Sequence, residues 1–582
     1  MQILRGAVSM GAVHPSRGGT VRFDVYELDM HGGELRKQGA PIKLQEQPFQ
    51  ILQILLERPG QVVTREELRQ KIWPSNTFVD FDHGINNAIK RLRETLSDSA
   101  EKPRYIETVA NRGYRFIGTL AASQVRIESL AVLPLENLSG DAEQEYFAEG
   151  LTEALINTVA RIGALRVTSR TSAMQYRKTD KNVPQIAREL NVDAIVEGTV
   201  LRSGGRVRIS VQLIDAHADT HLWAESYDRD LSDILALHSE VAQAVARQVR
   251  VKLTPHDYAH FAHAHPVDPQ AYEDYLKGRY YWNRRPAELG KAIQYFEQAI
   301  KKDPGYAAAF TSLADCLNSL TAYGIAPRNE GSVKAKHLAQ RALEMGHSLA
   351  EAHTALGVAT IYDYDFVTAE REFERAIELN PRYAYAHSMF GIYLAEMGRY
   401  EEAYAEVQRA LRLDPLSSII NAYAGRVYFY SRRYDQAIEQ LQRTLESDPQ
   451  SGSAWGVLGW AQSCKSIHES AIASLRKSCE IWPGSTPLAW LGQVYATAGY
   501  QAEALKILEQ LQELSNRQYV TPYGVGRIYA ALGQKDEAFH WLEIAYEQRA
   551  NWMVLLKIDP LFDDLRSDPR FQDLLRRMNF PS

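Results

Sequence analysis

Phe81-Asp82-His83-Gly84-Ile85-Asn86-Asn87-Ala88-Ile89-Lys90-Arg91-Leu92-Arg93-Glu94-Thr95-Leu96 is the stretch on which the reading of this chain turns. Ile85, Ala88, Ile89, Leu92 and Leu96 recur at helical spacing and share one face. The opposite face carries His83, Asn87, Lys90, Arg91 and Glu94, with Asn86 and Arg93 flanking it. Asn can pair bidentately with adenine, and Arg or Lys with guanine or phosphate. Taken alone, a charged helical face is usually only a solvated face.

The neighbouring segments change that reading. Val21–Leu28 alternates apolar with polar, as a half-buried strand does, Gly32-Gly33 marks a turn, and Ile42–Leu44 is a second extended segment. A helix is expected over Pro48–Glu57, stopped by Pro59-Gly60. Thr64 and Glu67 have the spacing of a capping box, opening a second helix that runs to Trp73 before Pro74. After the quoted stretch, Tyr105–Val109 and Tyr114–Ile117 read as two strands around Asn111-Arg112-Gly113, a short hairpin or wing. Residues 84–118 hold seven Lys/Arg and four Asp/Glu, whereas residues 45–83 hold four and six. Positive charge thus gathers where a helix and wing would face phosphates.

This order of elements, with Asn86–Leu96, Pro103–Val109 and Arg112–Phe116, resembles the OmpR/PhoB-type winged helix-turn-helix family over residues 20–118, and most of all its CadC/ToxR branch. The resemblance implies double-stranded DNA as partner. His83, Asn86, Asn87, Lys90, Arg91, Arg93, Arg112, Tyr114 and Arg115 are the expected DNA-facing residues, and a homodimer is expected on repeated half-sites. Many relatives carry a phosphorylated receiver domain ahead of the winged helix. Here about 20 residues precede it, a stretch read as a loose tail (1–19), so no phosphoryl switch is expected in cis.

Residues 125–255 mix strands and helices, which argues an α/β domain. Ser129–Leu135 is a compact apolar run, Ala142–Ile162 and Val183–Leu190 are helical, and Ala194–Arg202 and Arg206–Ile214 form a hairpin through Ser203-Gly204-Gly205. Trp223–Tyr227 reads as a further strand and Leu231–Lys252 as an amphipathic helix. A phosphate loop, GxGxxG, GxSxG and HExxH are all missing, so no catalytic residue is expected. Asp215, His217, Asp219 and His221 could share a strand face, but a polar loop explains them more cheaply than a metal. Leu130–Ser139, Phe147–Glu153 and Ala194–Val200 resemble the TolB-N-terminal/FlgO-like domain, which implies a non-catalytic interaction or sensory module. The linker 256–268, together with His256, contains His260, His263 and His265; these are read as incidental, and no metal or other cofactor is expected.

Residues 269–553 are periodic. Alanine recurs at 292, 335, 369, 403, 437, 471, 504 and 538, and glycine keeps step at 357, 391, 425, 459, 492 and 526. Pro381, Pro415, Pro449 and Pro483 close successive units. A period of about 34 residues with small residues at fixed places and a terminal proline is the tetratricopeptide signature. Eight repeats are expected, with an insertion near Tyr323–Gly331, and residues 554–582 are expected to cap the last turn. Such an array forms a superhelical solenoid whose groove takes a protein or peptide partner.

Composition agrees. The 582 residues, 45% apolar and 24% charged, predict about three to five globular domains. A net charge of −6 excludes a protein that coats nucleic acid along its length. Cys316, Cys464 and Cys479 fit no zinc or disulfide framework, in keeping with a reducing compartment. The longest uncharged run, Ile481–Ala502, contains Pro483, Gly484 and Pro487 and is no membrane span. The expectation is therefore a cytoplasmic, non-enzymatic, multidomain regulator: an α+β winged helix, a central α/β domain and an all-α solenoid. The rival expectation is an interaction scaffold whose winged helix no longer binds DNA.

Overall fold

The computed structural model describes residues 20–29, 32–73, 81–120, 127–141, 144–160, 162, 165–216, 218–249, 267–284, 288–345 and 349–580. The expected tail at 1–19, His217 and the four linker histidines lie outside these residues. The chain divides into two compact units, Met1–Arg126 and Ile127–Ser582.

The first unit opens with a four-stranded antiparallel meander: β1 Thr20–Phe23, β2 Tyr26–Asp29, β3 Glu34–Lys37 and β4 Ala40–Ile42. Two extended segments were expected here. The first is in fact a hairpin, because Asp24 takes a left-handed conformation (φ 49°) and turns the chain. Asp is among the few residues that do so at low cost. Three helices follow: α1 Glu46–Glu57, α2 Arg65–Ile72 and α3 Phe81–Leu96. The unforeseen strand β5, Val62–Thr64, joins the wing strands β6 Ile106–Val109 and β7 Gly113–Phe116 in the order β5-β7-β6. A Cβ on Gly113 would lie 2.0 Å from the Val63 carbonyl oxygen, so only glycine lets β7 run against β5. The core joins Phe23, Leu52, Leu55, Ile85, Leu92 and Phe116.

In the second unit, a six-stranded sheet comprises β8 Ser129–Val132, β9 Glu136–Asn137, β10 Arg166–Val167, β11 Ala194–Ser203, β12 Arg206–Asp215 and β13 Thr220–Asp230. The order is β10-β8-β11-β12-β13, with β9 on β11. β8 runs parallel to β10 and β11 and is buried along its whole length, as a central parallel strand should be. The β11–β12 turn is Gly204-Gly205, as the sequence suggested. Helices α4 Glu145–Ala160, α5 Arg170–Met174 and α7 Ile234–Gln248 share one apolar core, and α6 Val183–Leu190 belongs to a second.

Among the described residues, sixteen helices, from Pro269–Trp282 to Lys535–Glu547, pair into eight hairpins, with the insertion at 323–331 between the two helices of the second. The recurrent glycines let paired helices approach: a Cβ on Gly425 would lie 2.5 Å from Leu441, and one on Gly459 2.6 Å from Leu475. First helices of successive repeats pack on one another and line the inside of the array. Those of the third and fourth repeats have little polar face. Ten of the twelve residues of Ala350–Ile361 are buried, which requires cover on both sides.

That cover is the C-terminal segment. Asn551–Leu555 and Pro560–Leu565 are 3₁₀ turns and Pro569–Arg577 a helix. They do more than cap the last repeat. Trp552 Nε1 and Asn551 Nδ2 donate to the Ala322 carbonyl (3.1 and 3.2 Å), Arg549 to that of Asp363 (2.9 Å) and Lys557 to that of Met397 (3.3 Å). Arg432 pairs with Asp563 through two bonds, and Phe580 stacks on Phe366. The inner face, expected to receive a partner peptide, is thus crossed by a strap of the chain itself. Eleven apolar side chains between Trp552 and Met578 are buried. At about 1.5–3 kcal/mol each as an upper bound, they outweigh the roughly 8 kcal/mol of a micromolar peptide.

The central domain is joined to the solenoid rather than tethered. Glu149 and Glu153, buried on α4, meet Arg170, Arg177, Arg279 and Arg284. A Cβ on Gly150 would lie 2.6 Å from Leu276, and Ser172 donates to Asp414 at 3.1 Å. The motif Phe147–Glu153 therefore serves this junction.

Candidate nucleic-acid interface

The capping box at the start of α2 is complete: the Glu67 amide donates to Thr64 Oγ1 (3.1 Å) and the Thr64 amide to Glu67 Oε2 (2.8 Å). The Thr64 amide and hydroxyl bonds hold the Glu67 carboxyl below its ordinary value. The box fixes the next residue, Arg65, which sequence reasoning passed over. Its guanidinium donates to Asp82 (2.9 Å), Asn86 (2.9 Å) and the Tyr114 hydroxyl (3.0 Å), and lies over the Tyr114 ring. One side chain thereby ties together α2, α3 and the wing.

The nine expected DNA-facing residues separate into two groups. His83, Asn87, Lys90, Arg91 and Arg112 are exposed. Among the described residues, the Lys90 and Arg112 side chains have no partner. The Asn87 amide donates to His83 Nε2 at 3.3 Å, and Arg91 donates to Gln45. The other four are engaged with protein groups, Asn86 although it too is exposed. Tyr114 is only 3% exposed and donates to Asn86 Oδ1 at 2.8 Å. Burial raises its hydroxyl above the ordinary tyrosine range despite the nearby Arg65 and Arg93, so it stays protonated and able to donate. Arg93 donates to the Ile106 carbonyl (2.8 Å) and Thr108 (2.9 Å), anchoring α3 to β6. Arg115 pairs across the wing with Glu107 at 2.8 Å. The expectation that Tyr114 faces outward is corrected. Strand alternation carried the signal, since Tyr114 and Phe116 share the buried side of β7.

A second anchor comes from Asp98, whose carboxylate accepts from the amides of Arg104 (2.6 Å), Tyr105 (3.2 Å) and Ile106 (2.8 Å). It delivers the chain from the end of α3 into the wing. The result is a helix and hairpin fixed from below, with amide, imidazole and cationic groups in water above. Such an arrangement suits base edges and phosphates.

The polar loop after β12 closes on itself. Asp215 accepts from the Ala218 amide at 3.0 Å in a turn where Asp219 takes φ 52°. Among the described residues, no three His, Cys, Asp or Glu side chains gather as a metal site, and no helix is long and apolar enough to cross a membrane.

Comparison with known proteins places these features. Residues 39–116 match the family model "Transcriptional regulatory protein, C terminal". Residues 126–244, likened above to a TolB-N-terminal/FlgO-like domain, match "HilA/YgeH-like transcriptional regulator, second domain". Residues 372–405 and 394–461 match tetratricopeptide repeats. Transcriptional regulator HilA of Salmonella paratyphi A is 24% identical over 60% of this chain and 63% of its own length. A Rhizobium meliloti protein named "Putative adenylate cyclase 3" is 36% identical over 40% of each chain. The cholera toxin homolog transcriptional activator of Vibrio parahaemolyticus is 35% identical over 21% of this chain and 38% of its own. The chain thus spans less than two thirds of each of these relatives. Its N-terminal unit is an OmpR/PhoB-type winged helix, and its C-terminal region is a tetratricopeptide array.

Proposed function

We propose that this chain is a sequence-specific DNA-binding transcriptional regulator that acts in the cytoplasm and carries no catalytic site of its own. The observation that supports this is the outward group His83, Asn87, Lys90, Arg91 and Arg112, set on a helix and wing braced by Arg65, Asn86 and Tyr114. The α3 helix enters the major groove, where Asn87 and His83 reach base edges. Lys90, Arg91 and Arg112 meet phosphate. Asn86, Arg93, Tyr114 and Arg115 position rather than contact. The unit formed by residues 127–582 receives the signal or holds a protein partner, which docks outside the strap-filled inner face.

The test is selection of random duplexes by the full chain and by residues 20–120 at two salt concentrations. One enriched motif with steep salt dependence is expected. Asn87→Ala should then relax sequence preference, costing about 1–3 kcal/mol at its base pair, whereas Lys90→Ala should weaken binding to all sequences. No enrichment by either protein would return the winged helix to a scaffold role.

A further inference from the structure

A connected polar cluster lies between the inner helices of the solenoid and the strap. Arg426 faces Glu396 at 3.5 Å and stands over the Trp552 ring. Arg527 stands over Trp460 at 4.3 Å, approaches Asp559 at 3.4 Å and donates to Gln493 at 3.3 Å. Tyr523 donates to Asp559 at 3.0 Å. Trp460, Trp490 and Trp552 pack with ring centroids 4.7–5.4 Å apart. Arg527 and Asp559 are buried, while 23% of the Arg426 side chain is exposed.

Five buried atoms in this cluster have no partner among the described residues: Glu396 Oε2, Arg426 Nε, Tyr430 Oη, Trp460 Nε1 and Arg527 Nη1. Arg527 Nε has only the Asp559 carboxylate, 3.4 Å away. Buried polar groups are as a rule hydrogen-bonded, and leaving several unmet is costly. Four of the five are able to donate, so whatever completes them is rich in acceptors. Two guanidiniums stand against Asp559 and Glu396, and burial raises the Glu396 carboxyl to about 7 even beside Arg426. Near neutral pH that group is partly protonated, which leaves positive charge in excess.

We infer that this cluster binds a small oxyanion, a carboxylate or phosphate group held by Arg426, Tyr430, Trp460 and Arg527 beneath the strap. The ligand would sit against Trp552 and tie the strap to the inner helices. A regulator would in this way sense a small anionic molecule. The binding itself does not depend on the DNA-binding reading.

Tryptophan emission of the full chain, titrated with sodium acetate or inorganic phosphate at constant ionic strength, tests this. A saturable change with at least one anion is expected, and the anion that works identifies the ligand class. Arg426→Gln should weaken it by about tenfold or more, while the exposed Arg443→Gln should respond as the parent does. Tyr430→Phe removes only a hydroxyl and provides a second, milder loss if Arg426→Gln is misfolded by circular dichroism. No saturable change with either anion, or a response equal to the parent's in Arg426→Gln and Tyr430→Phe, would show that water completes the cluster and would overturn the proposal.

Discussion

The two units place their polar side chains in opposite ways. In the winged helix, the groups assigned to function stand in water, and one arginine, Arg65, braces them from behind. In the second unit, charges are drawn inside: Glu149 and Glu153 under four arginines, Glu396 beside Arg426, and Asp559 beside Arg527. An exposed charge is tolerant, because water replaces any partner it loses. A buried one depends on every neighbour. The contrast teaches that the proposed DNA-facing group stands on a robust outer face, whereas fragility is concentrated where the central domain, the solenoid and the strap meet.

The largest test of that contrast is removal of residues 549–582. The inner helices would lose their cover, and the second unit should fail to fold cooperatively by calorimetry. The winged-helix fragment 20–120 should still bind DNA. Should the truncated chain melt as sharply as the parent, the strap is an ornament. Next comes Glu153→Gln, which leaves Arg279 without its carboxylate and Arg170 with Glu149 alone. It should cost about 3–5 kcal/mol in urea unfolding, while the same change at exposed Glu439 should cost under about 1 kcal/mol.

Acid provides a third test. Burial pushes the Glu273 carboxyl up, but bonds from Arg202, Lys277 and Tyr146 outweigh it and hold the group at about 2. Its folded pKa lies below the unfolded value of about 4.3. Its contribution is therefore complete above that value and fades as pH falls toward 2. Glu273→Gln should flatten the acid limb of a stability–pH curve between those limits. The smallest effect is expected at the surface. Arg65→Met should leave the N-terminal unit folded yet lower DNA affinity by about 1 kcal/mol for all sequences, read by anisotropy. If only sequence preference changes, Arg65 touches bases and is no brace.

The parts legible in the sequence were those fixed by neighbours in the chain. Phe81–Leu96 is one helix from end to end, and the 34-residue spacing of alanine and glycine became hairpins because paired helices need small residues at their crossing. The turn at Asp24 escaped because alternation continues through it, and only a positive φ reveals the hairpin. Tyr114 was read as outward by its place in the wing, although its alternation with Arg115 pointed inward. The strap escaped for a different reason. Its apolar residues were read as a cap on the last repeat, while their partners lie up to 230 positions earlier. One clue was present: inner helices such as Ala350–Ile361 lack the polar face that an open groove would wet. The proposed anion-binding cluster has no sequence signature, since Glu396, Arg426 and Arg527 come from three different repeats.

The strap also sets the order of events at the ribosome. Ala322 must wait for Trp552, 230 residues later. At about 5–20 residues per second, that is roughly 10–45 s during which the inner helices of the early repeats have been made but not covered. An array of independent repeats could settle as it emerges; this one cannot finish until its last thirty or so residues arrive. Nascent chains stalled short of residue 549 should therefore be the species on which chaperones act.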